Sequence, residues 1–239
     1  FEPVIRTQEL TAAIVFFFGG GWVDGTPTQF FEHCRYLASR GMVTFSAEYR
    51  VKNRHSVTPR KCVTDGKSAM RWVRAHAIEL GLDPLRIAAG GGSAGGHVAA
   101  CASMLNGYEE QGEDLEISSV PDALVLFNPV LDTSQSPIAD RFGSDAEYLS
   151  PQHHIRSGLA PTIIFHGKDD PVVPYAQIER YTVAMQAAGN RCELLGFEGR
   201  THGFFNYGRD DGSAFGETLR AADRFLNSLG FVEGEPTLR

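Results

Sequence analysis

Short, wholly apolar runs alternate along this chain with stretches whose apolar residues recur every three or four positions. Residues 12–18 form the first run and end in three glycines. Residues 28–39 follow with Phe30, Phe31, Cys34, Tyr36 and Leu37 on one side of a helix, and Gly41 stands just after its end. The pattern then predicts a strand over 42–45, a long helix over 64–80 closed by Gly81, a strand over 86–89 and a helix over 96–105. Strands over 123–127, 162–165 and 191–197 and helices over 175–188 and 217–229 complete the series. Continuous buried runs separated by helices imply an α/β fold with a mostly parallel central sheet and helices on both faces. A single domain over 1–239 is expected, with no repeats and no linkers. The one long irregular stretch, 131–160, contains Tyr148, His153 and His154 and is expected to form a small cap or rim.

Composition narrows the function classes. A formal net charge of −7 argues against a nucleic-acid partner. No apolar run approaches the ~20 residues that span a bilayer, so no membrane span is expected. Cys34, Cys62, Cys101 and Cys192 are widely spaced and lack a Cys-x-x-Cys pair. That spacing speaks against zinc, and the four read as small hydrophobes. Neither metal nor cofactor is expected. The chain opens on Phe1-Glu2-Pro3 rather than methionine and reads as processed, trimmed or a fragment, which leaves the compartment undecided.

The most informative stretch is 86–100. An apolar run leads into Gly91-Gly92-Ser93-Ala94-Gly95, and an apolar helix start follows at Val98. A Gly-x-Ser-x-Gly between a strand and a helix sets a serine hydroxyl on a sharp turn at the head of a sheet. The blander reading is a glycine-rich turn or phosphate cradle. A serine nucleophile needs a base and an orienting acid, and in this setting they follow in the order serine, acid, histidine. Asp169 and Asp170 come just after the run 162–165, and His202 lies in a glycine-flanked loop after the run 191–197. Carboxylate and imidazole would then share the sheet edge with Ser93. His166 sits in the strand end ahead of the acid and reads as a structural hydrogen-bonding group. The run 12–18 ends in Gly19-Gly20-Gly21-Trp22, where amides can approach a carbonyl oxygen without Cβ obstruction. Gly20, Gly21 and the amide of Ala94 are the candidate oxyanion donors. Trp22, His97 and Phe204 are candidate pocket residues, although His97 on the helix also reads as a packing residue.

Together, Phe18-Gly19-Gly20-Gly21-Trp22, Gly91-Gly92-Ser93-Ala94-Gly95-Gly96, His166-Gly167-Lys168-Asp169-Asp170-Pro171 and His202-Gly203-Phe204 resemble the α/β-hydrolase superfamily. Within it they resemble the acetyl esterase/lipase branch, which includes hormone-sensitive-lipase-like carboxylesterases and acetyl xylan or feruloyl esterases. The resemblance implies Ser93 as nucleophile, His202 as base and Asp170 as acid, with Asp169 as fallback. It implies a cofactor-independent esterase for small-molecule esters of short acyl groups, acetylated carbohydrate being the favoured class. A prolyl-oligopeptidase-type peptidase and a non-catalytic ligand-binding homologue are the alternatives. Two departures stand out. The family carries a histidine where this chain has Phe18, and that histidine braces the glycine loop rather than reacting. The family also has a β-hairpin before the first run, whereas 11 residues precede it here, so the sheet is expected to be trimmed or to lack a segment.

Overall fold

The computed structural model describes residues 1–3, 10–135 and 137–238. Within them lie β1 (Thr11–Phe17), α1 (Phe31–Ser39), β2 (Val43–Ala47), α2 (Lys52–His55), α3 (Pro59–Ala75), β3 (Leu82–Gly92) and α4 (Ala94–Met104). They are followed by β4 (Leu124–Phe127), β5 (Thr162–Gly167), α5 (Tyr175–Ala187), β6 (Cys192–Phe197) and α6 (Ser213–Ser228). The strands form one sheet in the order β2-β1-β3-β4-β5-β6, and every neighbouring pair is parallel. The expectation of a trimmed N-terminal edge falls partly on residues 4–9, which lie outside the described residues.

All seven residues of β1 are buried, and their alternation sorts them between two cores. Ala13, Val15 and Phe17 join a core with Val63, Met70, Val98 and Tyr181 from α3, α4 and α5. Ala12, Ile14 and Phe16 join a second core with Leu37 of α1 and Leu219 and Phe225 of α6. Each fully buried Phe contributes roughly 2–3 kcal/mol, and Phe16 stacks on Phe30 at 4.7 Å between centroids.

Several boundaries differ from the pattern of apolar positions, among them that of α6, which begins at Ser213 rather than 217. Helix α3 begins at Pro59 rather than 64, because proline's fixed φ suits the first helical turn and its missing N–H costs nothing there. It ends at Ala75, and tight turns carry the chain on to Gly81. Strand β3 is longer than expected at both ends, because Leu82 pairs with Thr11 of β1 and Gly90, Gly91 and Gly92 keep pairing with β4 despite low strand propensity. The expected helix 28–39 opens as a 3₁₀ turn, Pro27–Phe30, before α1.

The chain steps outward from β1 to β2 and then returns to place β3 on the other side of β1. The order of the sheet therefore reverses between β1 and β3. In open parallel sheets a crevice forms at the carboxyl ends of the strands at such a point. The glycine run after β1 and Ser93 after β3 meet there.

Candidate active site

The elbow depends on small residues. Ser93 has φ 53° and ψ −117°, a strained conformation that connects β3 to α4 with no intervening loop. A Cβ on Gly95 would lie 2.0 Å from the Phe17 carbonyl oxygen and 2.4 Å from that of Phe18, so no side chain fits where α4 crosses the end of β1. The Ser93 amide donates to the Phe127 carbonyl at 2.9 Å, which anchors the turn to β4.

The hydroxyl of Ser93 lies 2.9 Å from Nε2 of His202. On the other side of the ring, Nδ1–H donates to Oδ2 of Asp170 at 2.7 Å. This fixes the tautomer and leaves Nε2 free to accept the serine proton. The second oxygen of Asp170 accepts the amides of Val172 and Val173 at 2.8 and 3.0 Å. Burial opposes ionisation of Asp170, but the bonds from His202 and the two amides outweigh it and hold its carboxyl below the usual value. Asp169 is exposed and bonds through its backbone to Arg200, so the carboxylate that meets His202 is that of Asp170. His166 is fully buried, donates from Nε2 to the Val173 carbonyl at 2.9 Å and lies 3.4 Å from Asp170. Burial lowers its pKa and keeps it neutral.

Gly20 and Gly21 line a cleft of about 740 Å³ together with Trp22, Ser93, Asn128 and His202. Gly20 has φ 131°, which an L side chain rarely adopts, and Gly21 has φ 63°. The loop presses on the elbow: a Cβ on Gly19 would sit 3.4 Å from the Cβ of Ser93. Ala94 is the first residue of α4, where helix amides lack intrahelical partners and the dipole favours negative charge.

The brace that Phe18 cannot supply comes from elsewhere. Gln29 accepts the Gly19 amide on Oε1 at 2.6 Å and donates from Nε2 to Oδ1 of Asn206 at 2.9 Å. Asn206 in turn donates to the Gly203 carbonyl at 2.8 Å. This relay ties the glycine loop to the loop that carries His202. Phe18 itself stacks on Tyr49 at 4.2 Å, and the Tyr49 hydroxyl donates to the Phe18 carbonyl at 2.6 Å. Asn128, at the end of β4, accepts the Gly203 amide at 2.9 Å and places Nδ2 3.5 Å from His202 Nε2. Gln29 and Asn206 stand out in no local pattern of the sequence. Asn128 carried a usable signal, a polar residue directly after an apolar run.

Two of the expected pocket residues are elsewhere. His97 is fully buried behind the cleft, where Nδ1 accepts the Trp22 indole N–H at 3.2 Å and Nε2–H donates to the Leu149 carbonyl at 2.7 Å. Burial lowers its pKa to about 4, so it braces Trp22 as a neutral ring. Phe204 packs on Phe197 in the second core, and the neighbouring Phe205 faces the cleft in its place. Trp22 does line the cleft. From 131–160, which forms short 3₁₀ helices at Ala139–Arg141, Gly143–Asp145 and Pro151–His154, the side chains of Gln135, Ile138 and Arg141 border it.

A shallower groove of about 650 Å³ runs along α3 past Trp72. Its arginines are already paired, Arg50 with Asp65 and Glu110 and Arg71 with Glu113, and among the described residues no serine or cysteine there is hydrogen-bonded to a histidine. The four cysteines are free and buried, and burial pushes the thiols of Cys62 and Cys192 up to about 12. Among the described residues no group of three or more His, Cys, Asp or Glu side chains could hold a metal ion, and no helix is long and apolar enough to cross a membrane.

The BD-FAE family model matches residues 2–185, more than three quarters of the chain. The chain belongs to the BD-FAE family. Its fold is that of the α/β-hydrolase superfamily. The family match takes in Ser93 and Asp170, while His202 lies beyond its end. Esterase LipC of Mycobacterium tuberculosis is 29% identical to this BD-FAE member over 238 residues, which cover 90% of this chain and 58% of LipC. The chain thus spans little more than half of that relative's length. Among solved structures, Thermogutta terrifontis esterase 2 phosphoramylated by tabun is 51% identical, with a TM-score of 0.94 over 98% of this chain and 89% of its own. The same esterase with propionate bound is 50% identical, with a TM-score of 0.94 over 98% and 90% of the two chains.

Proposed function

We propose that this chain is a serine carboxylesterase that hydrolyses short-chain acyl esters, acetyl among them, through an acyl-enzyme on Ser93. The observation that carries the reading is the unbroken relay from Ser93 Oγ through His202 to Asp170, with spacings of 2.9 and 2.7 Å. His202 Nε2 takes the hydroxyl proton as Ser93 Oγ attacks the ester carbonyl, and ionised Asp170 stabilises the imidazolium that forms. The negative charge that develops on the carbonyl oxygen falls to the amides of Gly20, Gly21 and Ala94, each worth roughly 3 kcal/mol in such sites. Imidazolium then protonates the departing alcohol. Water, deprotonated by the same ring, attacks the acyl-enzyme and frees the acid and Ser93.

The similar esterase whose solved structures hold propionate and butyrate supports a small straight-chain acyl group. The 131–160 segment is read as a rim that contributes Ile138 and Arg141 to substrate selection rather than as a separate domain. Acetylated carbohydrate remains a candidate substrate on family resemblance. The test is hydrolysis of p-nitrophenyl acetate by the wild type and by Ser93→Ala. Turnover confined to the wild type is expected, and equal rates would refute the mechanism.

A further inference from the structure

Among the described residues the cleft carries one permanently charged side chain, and the proposed reaction does not use it. Arg141 ends the short helix Ala139–Arg141 and borders the cleft beside Gly20, Gly21 and Ser93. Its Nη1–H donates to the Gly21 carbonyl at 3.1 Å. The approach is close: a Cβ on Gly21 would lie 2.3 Å from that nitrogen. A guanidinium presents five N–H donors in a flat fork, so a single bond to Gly21 leaves most of it for a ligand.

The surroundings do not neutralise this charge. Among the described residues Arg141 has no carboxylate partner. Of the aspartates in the neighbouring loops, Asp24 pairs with Arg54 and Asp145 with Arg60, Asp132 accepts from Ser134, and the adjacent exposed Asp140 makes no ion pair with Arg141 among the described residues. Apart from Ser93, His202 and Trp22, the other polar side chains that line the cleft, Gln29, Asn128, Gln135, Gln177 and Asn206, are neutral amides. Asp170 is buried behind His202 and committed to it. On a chain of net charge −7, the described residues that line the cleft thus carry a positive charge. Holding a carbonyl requires only an N–H donor. A guanidinium adds charge and a fork that matches a carboxylate.

We propose that Arg141 is a carboxylate subsite and that the preferred ester carries a carboxylate on its acyl or alcohol part, paired with Arg141 while the ester carbonyl sits at Ser93. The inference rests on the esterase reading above. Two substrate pairs separate the sources of the charge. Mono-p-nitrophenyl succinate against its methyl ester places it on the acyl side, and 4-acetoxybenzoate against 4-acetoxybenzamide places it on the alcohol side. Each is assayed for kcat/KM with the wild type, Arg141→Gln, which keeps a donor for Gly21 without charge, and Arg141→Lys, which keeps the charge.

For one of the two pairs, the ratio of anionic to neutral ester is expected to fall roughly tenfold in Arg141→Gln, with Arg141→Lys intermediate. Added salt is expected to lower the wild-type ratio for the same pair. Parallel changes for both members of both pairs would show that Arg141 only holds the loop and would overturn the proposal. Should the wild type turn over none of the neutral esters, the esterase reading fails on its own. Calorimetric binding of the amide analogues N-(4-nitrophenyl)succinamate and 4-acetamidobenzoate then decides the subsite: weaker binding to Arg141→Gln than to wild type supports it, and equal or absent binding overturns it.

Discussion

The two walls of the cleft are built by different means. One is the sheet edge, where residues following β1, β3, β4, β5 and β6 supply Gly20, Ser93, Asn128, Asp170 and His202. Backbone pairing sets each of these positions, and side-chain bonds such as Gln29–Asn206 cross-tie the loops. The other wall is 131–160, whose 3₁₀ helices are each only three or four residues long. Helices so short have no stability of their own. This wall is held by Phe142 against Trp22 and His97, by His97 on the Leu149 carbonyl and by Arg141 on the Gly21 carbonyl. On the proposed esterase reading, chemistry belongs to the sheet-edge wall and substrate choice to the 131–160 wall, since a reacting constellation loses far more from a small displacement than a binding rim does.

The largest effect should come from the sheet-edge wall. Asp170→Asn removes the acceptor that fixes the His202 tautomer, and kcat should fall by roughly 10⁴ with the far-UV circular dichroism unchanged. A small loss would mean that the wall's geometry is incidental. On the 131–160 wall, Phe142→Ala should cost about 3 kcal/mol in urea unfolding. Hydrogen exchange should show the lost protection concentrated in 131–160 while β3 and α4 stay protected. Uniform loss across both walls would erase the distinction. Gln29→Ala cuts the tie between the glycine loop and the His202 loop. A drop in kcat of about 30-fold, near 2 kcal/mol, is expected with little change in KM.

The smallest effect lies behind the sheet edge. His33 is fully buried among Phe30, Phe127, Phe205 and Phe215, and neither ring nitrogen has a hydrogen-bond partner among the described residues. Burial lowers its pKa to about 3, below the unfolded value of ~6.5. The unfolded chain therefore takes up a proton that the folded chain refuses, so stability is full above pH ~6.5 and is lost as pH falls toward 3. His33→Leu removes this liability. It should raise stability by about 1 kcal/mol at pH 7 and flatten the acid limb of a stability–pH curve, leaving KM unaltered. An unchanged acid limb would contradict the account of His33.

What the sequence made legible follows the same division. The sheet-edge wall announces itself because its parts are local: an apolar run, glycines, then a reactive side chain, repeated at successive strand ends. Ser93, Asp170 and His202 could be found that way. Only family resemblance favours Asp170 over Asp169 in the sequence, and the fold places the first carboxylate inside and the second outside. The ties between loops were invisible, because Gln29 and Asn206 are 177 positions apart and neither amide stands out locally. Phe204 and Phe205 could not be told apart without knowing which way the loop turns. His97, next to the elbow in sequence, points instead at Trp22 and Leu149. In 131–160, periodicity had nothing to work on, since turns of three residues leave no repeating pattern of apolar positions.

The central claim is that Ser93 is the residue that attacks. It is tested most directly by treating the wild type and Ser93→Ala with paraoxon and following intact mass, esterase activity and the labelled peptide together. The account predicts one phosphoryl group per wild-type chain, on the peptide bearing Ser93, with activity lost in proportion to labelling and no label on Ser93→Ala. Stoichiometric labelling of another residue, or a Ser93→Ala protein that hydrolyses p-nitrophenyl acetate at the wild-type rate, would contradict it.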